Sequence, residues 1–363
     1  MNFLMLIEKC SLCKLCEDYC SIYLSTKKYA PYEKLFVAKQ VLTESQKPED
    51  WKTIFLCTKC EACEFVCPEE IPISKIIDEA RKICVEKWGT QFPRQDLLIE
   101  NIFRTGNPFG EDKPRLAWLD EPINKHSKTL LHLGCMISYR YPDIGKNIIK
   151  TLKKLNIDFT ISPNERCCGY FVYNTGNHKR AFEIIKRNKK DMEKYDHIIT
   201  ACAGCTIFIK QFYGLKKDIR HVIEIVYEKL KNKKLEFVNP DKKVAIFHDS
   251  CHISRPFNII SQPRAILNLL GYSRDNEKLK EYNLSGKNGL CCGADGGMRI
   301  IDKQLAIEIG KDKVKEAKEK ADILFTLCPF CINNFVEAAN ELDVNLEILD
   351  IFEELVKYLD KLD

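Results

Sequence analysis

The sequence predicts a multidomain fold, all-helical at its N-terminal end and α/β beyond, and three observations carry that prediction. Eight cysteines fall in two close-spaced runs before residue 90, separated by helix-like patterning. After residue 128, short apolar strands alternate with helical stretches, the mark of α/β modules with parallel sheets. That alternation occurs twice, with equivalent cysteines about 116 to 126 residues apart, so the second part reads as a duplicated module.

The elements follow in order. Pro31 to Leu42 places Leu35, Phe36, Ala38, Val41 and Leu42 near helical spacing, and a second helix is predicted through Asp78–Lys87. These belong to an N-terminal domain over residues 1–90. Residues 91–127 carry Pro93, Gly106-Asn-Pro108 and Pro122, and read as a linker lying against the surface. The first module, 128–238, holds strands at 129–134 and 197–201; the second, 239–363, holds strands at 244–248 and 323–327. Cysteines at strand ends then converge on one sheet edge, where such folds place their ligands.

Composition narrows the function classes. The 363 residues are 45% hydrophobic and 30% charged, as in ordinary soluble proteins. The start, MNFLMLI, is too short for a secretory leader, and no run of 18 apolar residues occurs. A cytoplasmic location is expected, with membrane attachment only through a partner. There, so many cysteines, eighteen of the nineteen in close-spaced or repeated sets, read as metal ligands rather than a disulfide framework. The formal charge of +5 counts every thiol as neutral. Cysteines held as thiolates on metal would bring it toward neutrality. The lysine excess therefore reads as a solvated surface, and no nucleic-acid partner is expected.

Cys57, Cys60, Cys63 and Cys67-Pro68 have the spacing of the bacterial ferredoxin run, in which three ligands wrap one cluster and the fourth reaches the other. Cys10, Cys13, Cys16 and Cys20 repeat it, with Ser21 in place of the proline. The resulting assignment is crossed: Cys10, Cys13, Cys16 and Cys67 hold one 4Fe–4S cubane, and Cys57, Cys60, Cys63 and Cys20 hold the other. Zinc sites use two separated pairs, not three consecutive ligands twice over. With helices between the runs, this is a helical dicluster ferredoxin domain.

Two sets of five cysteines follow. Cys135, Cys167-Cys168-Gly169 and Cys202-x-x-Cys205 form one; Cys251, Cys291-Cys292-Gly293 and Cys328-x-x-Cys331 form the other. Adjacent cysteines fit a compact zinc site poorly but can ligate neighbouring irons of an extended cluster, and the glycine is expected to let the backbone pass close to inorganic sulfur. Cys84, left over among Ile83 and Val85, reads as a core residue. The glycines from Gly293 to Gly297 lack the lysine and spacing of a phosphate loop, so no flavin or nicotinamide site is expected on this chain.

These motifs resemble the CCG-domain proteins, in particular the catalytic D subunit of methanogen heterodisulfide reductase. The resemblance includes Cys67-Pro-Glu-Glu-Ile-Pro-Ile73, Gly106-Asn-Pro-Phe-Gly110 with Arg115 and Trp118, His248-Asp-Ser-Cys-His252, Gln262-Pro-Arg264 and Cys291 to Gly297. It implies that each five-cysteine set binds a noncubane 4Fe–4S cluster and that the pair cleaves the coenzyme M–coenzyme B disulfide, a small disulfide substrate. It also implies a partner that donates electrons: a flavoprotein, a cytochrome b or a ferredoxin. Ser250, like Ser21, departs from the proline usual in the family. A rival reading makes the chain an electron-transfer component of a flavin-dependent lactate- or glycolate-type dehydrogenase, for which erosion of one five-cysteine set would be expected. His248 and His252, flanking Cys251, are candidate proton donors or supports of the cluster loop. Arg255 and Arg264 are candidates for anionic substrate groups or for salt bridges.

Overall fold

The computed structural model describes residues 2–43, 46–89, 92–119, 123–124, 126–232 and 243–361. The expected boundaries at 90/91 and 238/239, and Pro122, lie outside the described residues.

The N-terminal region folds as helices Phe3–Glu8, Ser21–Thr26, Pro31–Thr43, Ala62–Phe65 and Ile73–Trp88, with a 3-10 turn at Trp51–Ile54. Pro31 opens its helix with a preset φ, and the Glu33 carboxylate accepts from the Ala30 amide at 2.7 Å. Leu35, Val37, Ala38 and Val41 then pack with Ile73, Ile76, Ile77 and Ala80 of the Ile73–Trp88 helix in one core. Each fully buried aliphatic side chain contributes roughly 1.5–3 kcal/mol. Two details depart from the periodicity. Phe36, expected inside, is 46% exposed, and Lys34 is inside, at 1%. Cys84 is buried in that core, as expected.

The segment read as a surface linker is more than that. Residues Pro93–Thr105 form a helix that ends at Gly106 in the left-handed conformation, and Ile99 and Ile102 are fully buried with the first module's core. The Pro and Gly residues mark its ends rather than a structureless run.

The remainder carries two parallel sheets. The first is ordered β1 (Thr129–His132), β2 (His197–Thr200), β3 (Asp218–His221). The second contains β4 (Ala245–Phe247), β5 (Leu279–Glu281), β6 (Ile323–Thr326) and β7 (Glu347–Asp350), ordered β5-β4-β6-β7. A single bridge from Leu130 to Thr160 stands where β5 stands in the second sheet. The repeat extends to the last strands: β3 and β7 each end on a residue that caps the next helix, His221 with Glu224 and Asp350 with Glu353. In register, His132 pairs with Thr200 and Phe247 with Phe325. The cysteines that follow these residues therefore emerge at the same C-terminal edge. No helix is long and apolar enough to cross a membrane among the described residues.

Candidate redox site

The two N-terminal runs cross, and each resulting group walls one cavity. Cys10, Cys13, Cys16 and Cys67 line the first; Cys20, Cys57, Cys60 and Cys63 line the second. In both loops the residues flanking the middle cysteine take positive φ: Leu12 and Lys14 around Cys13, Lys59 and Glu61 around Cys60. Non-glycine residues held there cost about 1–3 kcal/mol each, strain typical of a clamp around a ligand. Cys13 is exposed, whereas all four cysteines of the second cavity are partly buried. Lys34 reaches into that second cavity with Nζ 3.8 Å from Cys20 Sγ. Burial opposes its charge, but the thiols of Cys20, Cys57, Cys63 and Cys60 outweigh it and raise its pKa above the ordinary lysine value. A buried ammonium with no carboxylate partner among the described residues fits an anionic group between those sulfurs.

The five-cysteine sets share one order of sulfur contacts. In the first, neighbouring thiols follow the order Cys135–Cys167–Cys168–Cys205–Cys202, with Cys205 and Cys168 sulfurs 3.4 Å apart. In the second the order is Cys251–Cys291–Cys292–Cys331–Cys328, with Cys331 and Cys292 3.2 Å apart. Hydrogen bonds from Cys167 and Cys205 hold the Cys168 thiol down to about 6, and Cys291 and Cys331 do the same for Cys292. All ten are buried. The donor set fits a sulfur-rich metal cluster, since thiolates are its ligands.

Gly169 and Gly293 follow each cysteine pair at φ +92° and +90°, in a turn that an L side chain rarely adopts. A Cβ at Gly293 would meet Ile309 at 2.8 Å, and one at Gly169 would meet Ile184 at 3.1 Å. The glycine thus serves the turn and the packing of the neighbouring helix.

The second set touches the second N-terminal cavity directly. The Cys60 and Cys291 thiols lie close enough to perturb each other. Ser21 Oγ donates to the Cys291 carbonyl at 3.0 Å, so the serine in the proline's place ties the helical region to this loop. Ser250 Oγ lies 3.2 Å from Thr326 Oγ1 and joins the ends of β4 and β6. The first set walls a cleft of about 360 Å³ between the two modules. Its walls carry Phe109, Phe171 and Phe330, the cations Arg94, Arg140, Arg299 and Lys303, and Tyr170 and Asp295.

The side chains singled out in the sequence divide. His248 has a ring nitrogen within 4.8 Å of the Cys292 and Cys331 sulfurs, and burial pushes its pKa down to about 3, so it stands neutral. His252 is buried too, which opposes protonation, but Asp295 at 2.9 Å outweighs that and raises it to about 9. Its Nε2 is 3.1 Å from the Tyr170 hydroxyl. Arg255 donates to the carbonyls of Cys60, Lys287 and Gly289. Arg264 grips Asp249 and Glu281 at 2.7–2.8 Å. Both arginines hold the protein together and neither lines the cleft. Sequence reasoning missed Lys34, Tyr170, Asp295 and the cleft cations. It also missed His132, which stands three residues before Cys135 as His248 does before Cys251, and is buried 3.8 Å from Glu165.

Comparison with known proteins agrees with this arrangement. Residues 6–71 match the family model of the 4Fe-4S dicluster domain, and residues 129–210 and 245–336 match that of the Cysteine-rich (CCG) domain. The chain belongs to the iron–sulfur proteins that join a dicluster domain to a duplicated CCG domain. It is similar to the D subunit of the dihydromethanophenazine:CoB–CoM heterodisulfide reductase of Methanosarcina acetivorans, at 26% identity over 96% of this chain and 93% of that one. The B subunit of the fumarate reductase (CoM/CoB) of Methanothermobacter marburgensis is 26% identical, covering 95% of this chain and 72% of its own. The EtfAB:quinone oxidoreductase of Syntrophomonas wolfei is 27% identical over 85% of this chain and 47% of its own length. The chain is therefore an iron–sulfur electron-transfer oxidoreductase related to the D subunit of heterodisulfide reductase.

Proposed function

We propose that this chain is the component that reduces a disulfide, with the coenzyme M–coenzyme B disulfide as substrate, and that a partner protein supplies the electrons. One observation carries the reading: two complete five-cysteine sets with the same sulfur connectivity, one of them walling a cleft between the modules. In this reading residues 1–90 pass electrons to modules 128–238 and 239–363, with 91–127 between them. Two cubanes are bound by the crossed cysteine groups and two noncubane clusters by the ten module cysteines. Bound there, the clusters supply one-electron steps and an open iron as Lewis acid for a departing thiolate.

The chain's own residues do the rest. Breaking a disulfide consumes two electrons and two protons, one of each per sulfur. Tyr170 and Asp295, on the cleft wall and both bonded to His252, hold a proton beside the place where thiolate forms. Arg94 orients an anionic substrate arm, beside Arg140 held by Glu111 and Arg299 and Lys303 held by Glu337, while Phe109, Phe171 and Phe330 exclude water. The relatives named as coenzyme M–coenzyme B enzymes support this substrate.

A second reading is favoured by the relative named EtfAB:quinone oxidoreductase: an electron-transfer component serving a flavoprotein, with no bond broken on this chain. Anaerobic oxidation of reduced viologen by the cluster-loaded protein separates the two. Oxidation that depends on the added disulfide is the expected result. No turnover with all clusters loaded would move the assignment to the second reading.

A further inference from the structure

Lys34 is a charge without an ordinary reason to be where it is. It lies 1% exposed on the Pro31–Thr43 helix, facing the cavity walled by Cys20, Cys57, Cys60 and Cys63. An ammonium in that setting costs several kcal/mol unless an anion compensates it, and no carboxylate pairs with it among the described residues. None of the other charges nearby pairs with it. Lys59 is neutralised by Asp78 at 2.5 Å. Arg81 is fully buried and gives its N–H groups to carbonyl oxygens, Cys57's included. Glu64, which accepts from the Ser74 amide, and the partly exposed Glu61 are the acids on that wall. The first cavity differs. Its charged neighbours are Lys14 and Glu69, both exposed and of opposite sign, and its Cys13 faces water.

We propose that Lys34 is a charge-tuning residue that makes the second cubane site the more readily reduced of the two, so that electrons accepted at the exposed first site are drawn inward. A fixed positive charge in a poorly screened interior stabilises an added electron far more than a solvated lysine does. The step is a single electron transfer: one core is oxidised by one unit as the other is reduced by one, and no bond or proton is exchanged. An external one-electron donor supplies the electron. The Cys60–Cys291 contact is then the way onward to the second five-cysteine set. This inference rests on the crossed ligand assignment proposed above.

The test is a redox titration of the loaded full-length chain followed by electron paramagnetic resonance. Cys13→Ser marks the signal of the first site and Cys63→Ser that of the second. In the unaltered chain the second site is expected at the higher potential. Lys34→Gln should shift the electron's equilibrium between the sites at least tenfold toward the first, which is about 59 mV for a one-electron couple. Lys34→Arg, which keeps the charge, should leave the order and spacing intact. A reversed order in the unaltered chain overturns the proposal, and needs no variant to fold. So does an unmoved potential in a Lys34→Gln protein whose iron and sulfide content is unchanged. An arginine variant that shifts as far as the glutamine variant assigns the effect to shape, not charge, and also overturns it. If the two serine variants fail to mark separate signals, the ligand assignment itself has failed, a result distinguishable from all of these.

Discussion

Replacing Arg81 with methionine tests how the helical region is fastened to both modules. Arg81 is completely buried on the Ile73–Trp88 helix, and all five of its N–H groups are used. Nε donates to the Ile54 carbonyl, one terminal nitrogen to Asn174 and Gly296, and the other to Phe55 and Cys57, at 2.7–3.2 Å. Those acceptors belong to the helical region, the first module and the second. The methionine variant strands five carbonyl oxygens at about 1 kcal/mol or more each. Against that, removing a buried guanidinium recovers part of its desolvation cost, several kcal/mol for an ion. The expected net loss is roughly 2–3 kcal/mol, or a melting temperature lower by about 3–4 °C for a chain of this length. Arg81→Lys, with at most three donors, should fall between. Thermal melting of the loaded protein measures the loss, and amide exchange locates it: Ile54–Cys57, Asn174 and Gly296 should open together. Melting and exchange identical to the unaltered protein would refute the reasoning, because the stranded carbonyls would then have found other partners.

Three further outcomes follow from the same geometry. His221 is fully buried and its Nδ1 accepts from the Ile223 amide at 3.3 Å, and burial holds its pKa down to about 3. Because the folded value lies below the unfolded one, stability is present above about pH 6.5 and is lost as pH falls toward 3; His221→Asn, which caps without titrating, should lessen the fall in melting temperature between pH 7 and 5. Gly296→Ala places a Cβ 2.6 Å from the Cys57 carbonyl at φ +67°, so it should destabilise the chain by about 1–3 kcal/mol and make Cys60 more reactive to alkylation in the metal-free protein. Arg264→Ala leaves Asp249 and Glu281 without their fork and should cost about 3–5 kcal/mol in melting experiments. It should nevertheless leave the KM for disulfide unchanged, since Arg264 does not line the cleft.

Much of this molecule is legible in the sequence because cysteine spacing is a geometric constraint and short apolar runs before cysteines mark strand ends. The crossed groups, the duplication and β1, β2, β4 and β6 were readable for that reason. Strands β3, β5 and β7 were not: Asp218–His221, Leu279–Glu281 and Glu347–Asp350 are short and half polar, and tertiary pairing defines them. Lys34 and Arg81 were readable in principle. Lys34 shares a stripe with Val37, Ala38 and Val41, and Arg81 shares one with Ile77 and Cys84, so each is a charge on an apolar face. A charge at such a position predicts a buried counter-charge or carbonyl cradle. The cleft was beyond reach. Arg94, Tyr170, Asp295 and Arg299 come from three separate stretches, and only the packing of the modules brings them to one wall.

Whether the paired cysteine sets carry disulfide reduction is decided at Cys168 and Cys292, the second cysteine of each adjacent pair. Each is replaced by alanine in the cluster-loaded chain, and viologen-driven disulfide reduction is measured beside the cubane spectra. Either substitution is expected to abolish reduction while both cubane signals persist. Reduction that survives both substitutions would contradict that role.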